Sequence, residues 1–192
     1  MLQQVGGLMR LAVVMLLAVF AIISRLEATP GQVLLLRHAE KPSSGNTLSK
    51  AGFERAAALV PFFTLPPANA AFNAPVAIYA QCSSKNHKST RPVQTVSPLA
   101  AALGIELCTQ YTYASYKKMV DDINANSALD GQTILICWAH QKLQNIAAYF
   151  GVQNAPPFPN VYDRVWVIDF TDGKVSSFQN LPQQLMYGDS AT

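Results

Sequence analysis

The chain has 192 residues, half of them hydrophobic, which suits one compact domain with a sizeable core. No internal repeat, heptad or low-complexity tract appears, so solenoid and coiled-coil architectures are excluded. The net charge is +3, and beyond residue 28 it is 12 Lys+Arg against 10 Asp+Glu, or +2, too weak a field to hold nucleic acid or an anionic membrane surface.

The first predicted element is a targeting segment. Arg10 precedes thirteen uninterrupted apolar residues, 11–23, followed by Ser24-Arg25-Leu26-Glu27-Ala28. As a helix that run is about 20 Å long, against a hydrocarbon core of about 30 Å. It reads as a signal peptide over residues 1–28 or as an uncleaved N-terminal anchor over residues 5–23. Either way the domain 29–192 is expected to be exported, in the periplasm or outside the cell. Membrane contact is expected only through an uncleaved segment.

Residues 33–36 form a short apolar run that ends in Arg37-His38, the pattern of a buried parallel strand with its polar pair at the C-terminal rim. A loop over 42–47 precedes an alanine-rich helix with Ser49 as N-cap, expected to stop near Pro61. The connection 64–75 leads to a second strand over 76–80 and a polar loop over 81–90. A second helix over 91–103 is expected to be broken at Pro98 and stopped at Gly104. Next come a short strand at 105–108, a helix over 116–124, a turn at Asp130-Gly131 and a strong strand over 133–138 that runs into Ala139-His140. A helix over 143–150 and a proline-rich loop lead to a strand over 161–170, and Asp172-Gly173 turns it into a hairpin with 174–178. This order predicts an α/β fold, a three-layer α/β/α sandwich whose sheet is mostly parallel with an antiparallel edge hairpin.

Three cysteines are too few for a disulfide scaffold. Cys137 sits inside an apolar run and reads as an inert buried thiol, while Cys82 and Cys108 pair only if their strands are neighbours. No spacing resembles a zinc site, and no metal or cofactor is expected.

Two strands thus end in histidine, His38 and His140. If they are adjacent, both imidazoles meet at one rim, and Arg91 in the polar loop can reach it. Arg37, Arg91 and two imidazoles around one point suit a dianionic phosphoryl group, because guanidinium forks match phosphate oxygens and imidazole is nucleophilic near neutral pH. His87, among Lys85, Asn86 and Lys88, is assigned to solvent.

Leu34-Leu35-Leu36-Arg37-His38-Ala39-Glu40-Lys41 resembles the Arg-His-Gly signature of the histidine phosphatase superfamily, the phosphoglycerate-mutase-like group, in its Arg-His-Ala/Gly-Glu-Lys variants. Leu48-Ser49, Gly52 and Arg55-Ala56 are similar to that family's first-helix pattern. Tyr79 to Ser84 with Arg91-Pro92-Val93-Gln94-Thr95 resembles its second arginine block, and Ile136-Cys137-Trp138-Ala139-His140 its last strand and second histidine. The resemblance implies that His38 is the nucleophile that becomes a phosphohistidine, and that Arg37, Arg91 and His140 bind the transferring oxygens.

The chain departs from that family at the leaving-group acid. Gln141 stands where the acid-phosphatase branch has an aspartate, and residues 107–113 lack the glutamate of the mutase branch. Nearness to His38 nominates Glu40 as general acid, with an ion pair to a neighbouring base as its alternative. The expected function is an exported phosphatase, a phosphoric monoester hydrolase acting on a small phosphorylated substrate. The alternatives are a catalytically weak phosphate-binding protein on the same fold and a phosphomutase.

Overall fold

All six residues of β1 (Gln32–Arg37) are buried, and the alternation of its leucines decides the architecture. Val33 and Leu35 point to one face of the sheet, and Leu34 and Leu36 to the other. A strand buried on both faces needs a layer of helices on each. Each leucine so enclosed contributes about 2 kcal/mol relative to an exposed one.

The computed structural model describes residues 28–65 and 70–191. The expected leader or anchor therefore lies, but for Ala28, outside the described residues. In chain order β1 is followed by α1 (Lys50–Thr64), β2 (Ala77–Ala80), α2 (Arg91–Leu103), β3 (Leu107–Cys108), α3 (Tyr116–Asn124), β4 (Thr133–Trp138), α4 (His140–Tyr149), β5 (Arg164–Thr171) and β6 (Lys174–Pro182). The strands form one sheet in the order β3-β2-β4-β1-β5-β6. β1, β2, β3 and β4 are mutually parallel, and β5 and β6 are antiparallel. Leu59 and Phe63 of α1 and Val96 and Leu99 of α2 pack on one face with Leu34 and Leu36. Met119 and Ile123 of α3 and Leu143 and Ile146 of α4 pack on the other with Val33, Leu35, Trp138 and Trp166. This is the expected three-layer α/β/α sandwich with its antiparallel edge.

Several boundaries differ from expectation. α1 continues through Pro61 to Thr64, because Phe63 is buried and meets Phe62 and Phe72 in an aromatic cluster with centroid distances of 4.9 and 5.3 Å. α2 is likewise unbroken at Pro98. A helical proline costs about 3 kcal/mol, and burial of Val96 and Leu99 at about 2 kcal/mol each offsets it. Gly104 ends the helix with φ 66°, the left-handed conformation that glycine adopts without a Cβ penalty. β5 begins at Arg164 rather than 161, and β6 runs to Pro182 rather than 178.

All three cysteines are free. Cys108 sits opposite Tyr79 and Cys82 opposite Thr112, so three residues of strand rise, roughly 10 Å, separate the two positions along the chain direction. That is too far for a disulfide. Among the described residues no helix is long and apolar enough to cross a membrane.

Candidate active site

The register of β1 on β4 places Arg37 opposite Trp138, the last residue of each strand, and His38 N–H donates to Trp138 O at 3.1 Å. The two strands are adjacent and parallel, so both carry their following residues to the same carboxyl rim, where ligands of α/β sheets bind. A cavity of about 250 Å³ opens there, lined by Arg37, His38, Lys41, Arg91 and His140 among others. Four of the five proposed site residues thus come together.

His38 is 6% exposed, and its Nδ1 lies 2.7 Å from Ala39 O. A carbonyl only accepts, so Nδ1 carries the hydrogen and Nε2 keeps its lone pair. Burial, then Arg37, Arg91 and His140, push the imidazole down to about 4, against the Ala39 hydrogen bond that raises it. The ring is neutral at pH 7, the state a nucleophile requires. Thr95, fully buried in α2, fixes the adjoining backbone: its Oγ1 accepts from Ala39 N–H at 2.9 Å and donates to Arg91 O at 2.8 Å. One hydroxyl therefore ties the strand end that carries His38 to Arg91, which accounts for the four-residue spacing of Arg91 and Thr95 on one helix face.

Arg37 is held from behind. Its Nη1 donates to Asn160 Oδ1 at 3.0 Å and to Val161 O at 3.2 Å, and its guanidinium lies 4.0 Å from the Tyr162 ring centre. Its Nε is buried without a partner among the described residues, a donor left for a ligand oxygen. Arg91 donates from Nε to Thr47 O at 3.0 Å, from Nη2 to Gly45 O and from Nη1 to Ser89 Oγ at 3.4 Å. It closes the 45–47 loop onto the start of α2.

His140 opens α4 rather than ending a strand, so the positive end of that helix faces the cavity through Ala139, His140 and Gln141. Ala139 provides no side-chain cap, and its own N–H donates to Gln81 Oε1 at 3.1 Å. Burial, then Arg37 and Lys41, lower the His140 imidazole below its ordinary value.

Glu40 is not where a general acid must be. Its Oε1 accepts from Arg55 Nε and Nη2 at 2.8 Å each, and Glu40 lines a different hollow, with Tyr162, Asp163 and Asp189. Arg55 is 3% exposed, and Asp189 completes its pairing at 2.6 and 2.9 Å. A buried guanidinium cannot be left without counter-charge: burial pulls its value down, and the Asp189 and Glu40 carboxylates together outweigh that and hold it well above its ordinary value. The alternative of an ion pair with a nearby base is the one realised, with Arg55 as the base.

His87 is exposed, as expected, and at the same time lines the cavity, where it stacks on Tyr113 at a centroid distance of 3.8 Å. Among the described lining residues no side chain is a carboxylate, while arginine, lysine and imidazole are all present. Gln81, Thr95 and Asn160 were also unassigned by sequence reasoning. The buried positions of α1, namely Gly52, Arg55, Ala56, Leu59 and Phe63, follow the helical period, so Arg55 was recognisable as a charge on an apolar face.

No protein-family model matches the chain, and no curated protein matches it in sequence. Solved structures do match in shape. The protein histidine phosphatase SixA complexed with tungstate aligns with a TM-score of 0.57 at 11% identity, covering 79% of this chain and 97% of that one. A phosphoglycerate mutase from Bacillus anthracis str. Sterne aligns with a TM-score of 0.54 at 9% identity, covering 81% and 94%. The chain thus shares the fold of these two structures over about four-fifths of its length.

Proposed function

We propose that the protein is an exported phosphatase that hydrolyses a small phosphomonoester through a phosphohistidine on His38, with residues 29–192 as its single catalytic domain. The observation that carries this reading is the state of His38: buried, neutral, with its hydrogen held on Nδ1 by Ala39 and its Nε2 lone pair left in a cationic cavity. In the first step Nε2 attacks phosphorus and the bond to the ester oxygen breaks. Water then displaces the phosphoryl group from Nε2, giving inorganic phosphate and the original imidazole. Two transfers replace one direct hydrolysis.

Arg37, Arg91, His140 and the N-terminus of α4 surround the place where the three phosphoryl oxygens would sit. Phosphoryl transfer asks for positioning and charge neutralisation, and this arrangement supplies both. The SixA structure holds tungstate, a tetrahedral oxyanion of the shape this cavity would accept. A catalytically weak phosphate-binding protein is the second reading, favoured by the lack of a carboxylate among the described lining residues. Export rests on the apolar run at 11–23. An activated aryl phosphate decides between the two functions. The phosphatase reading expects turnover that His38→Ala abolishes; phosphate binding without turnover supports the second.

A further inference from the structure

The structure points to His87 as the proton donor that Glu40 is not. His87 is held by a tight turn, in which Ser84 N–H donates to His87 O at 2.8 Å and His87 N–H to Ser84 O at 3.2 Å. Its ring stacks on Tyr113 at an interplanar angle of 34°, and Lys142 Nζ lies 5.2 Å from the centre of the same Tyr113 ring. Tyr113 is thus fixed by contacts from two other elements, and it fixes the imidazole in turn. Both rings line the cavity that holds His38. The cavity's other imidazoles are occupied: His38 attacks phosphorus, and His140 stands beside Arg37 and Lys41, whose charge disfavours a second proton.

We propose that His87 is the general acid of the first step and the general base of the second, an assignment that rests on the phosphatase reading. As the bond from Nε2 of His38 to phosphorus forms, the bond from phosphorus to the ester oxygen breaks. The His87 imidazolium gives its ring proton to that oxygen, so an alcohol leaves. Neutral His87 then takes a proton from the attacking water while the phosphorus–nitrogen bond breaks and its electron pair returns to Nε2. Both rings are restored. His87 is exposed, and an imidazole suits this double duty because one ring nitrogen can give a proton in the first step and take one back in the second.

The test compares phenyl phosphate, whose leaving group needs a proton, with dinitrophenyl phosphate, whose leaving group does not. In His87→Gln the kcat/KM for phenyl phosphate should fall about 100-fold and that for dinitrophenyl phosphate far less, so the ratio of the dinitrophenyl value to the phenyl value rises by at least roughly 30-fold. His87→Asn should give the same change of ratio. A ratio unmoved in both variants, whether the two rates fall together or neither falls, overturns the role of His87. His38→Ala separates the two readings. If it is inactive while the ratio is unmoved, His87 alone is misassigned; if it still turns over dinitrophenyl phosphate, the phosphatase reading fails and this proposal with it.

Discussion

The Nδ1 atom of His38 donates to the carbonyl oxygen of Ala39, the next residue, at 2.7 Å. This contact orients the ring from its own backbone, without the carboxylate that orients many catalytic histidines. It also opposes the burial and the neighbouring cations that push the imidazole down to about 4, so the depressed value is the net of unequal opposing effects.

The first prediction concerns pH. The folded value lies below the ordinary 6.5, so between about pH 6.5 and 4 the unfolded chain binds the proton more tightly. The contribution of His38 to stability is present above that window and is lost as the pH falls through it. The shift corresponds to on the order of 3 kcal/mol. NMR titration of the His38 ring should give a midpoint near 4, and a midpoint near 6.5 would show that the ring is not enclosed as described.

Arg55→Met should destabilise the fold by about 3–5 kcal/mol in denaturant unfolding, because it leaves the Glu40 and Asp189 carboxylates without their buried partner. Glu40→Gln should slow esters of good and poor leaving groups by the same factor, as expected for a residue that shapes the loop after His38 and donates no proton. A selective loss on poor leaving groups would restore Glu40 as the acid.

Gly52→Ala tests how closely α1 approaches the loop that follows His38. A Cβ at this position would meet the carbonyl oxygen of Glu40, and Leu48 Cβ at 3.1 Å. Backbone cannot retreat as a flexible side chain can, so the substitution should cost about 2 kcal/mol and lower kcat/KM roughly tenfold through displacement of the loop that carries His38. Unchanged melting and unchanged kinetics would show that the loop is free to shift.

Asn160→Ala removes one acceptor that holds Arg37 Nη1. Loss of a hydrogen bond to a charged group costs about 1.5–3 kcal/mol, so the inhibition constant for inorganic phosphate should rise roughly tenfold or more. Because Asn160 is exposed, the melting temperature should move little.

Local signals in the chain specify most of this fold. Apolar runs at residues 33–36 and 133–138 are short, bounded by charge or turns, and buried on both faces, which is why their strand nature was legible, while their adjacency stayed open until the sheet order was seen. Prolines misled: at Pro61 and Pro98 the burial of neighbouring apolar side chains outweighs a missing N–H, and no local rule weighs those terms. Of the site, Arg37, His38, Arg91 and His140 were legible because each stands where an apolar strand or a helix start meets the rim. Glu40 and His87 were not. Glu40 is claimed by Arg55 and Asp189, the latter 149 positions further along the chain, and His87 is drawn onto Tyr113 from a separate loop. Both are long-range pairings that sequence neighbours do not reveal.

The central claim is a covalent phosphoryl group on His38, and rapid acid-free quenching of the protein during turnover of a labelled aryl phosphate tests it most directly. The account predicts a label that is stable in base, lost in acid, located on the peptide containing His38 by mass spectrometry, and absent from His38→Ala. Steady turnover with no labelled protein at any time point, or a label that persists in His38→Ala, would contradict it.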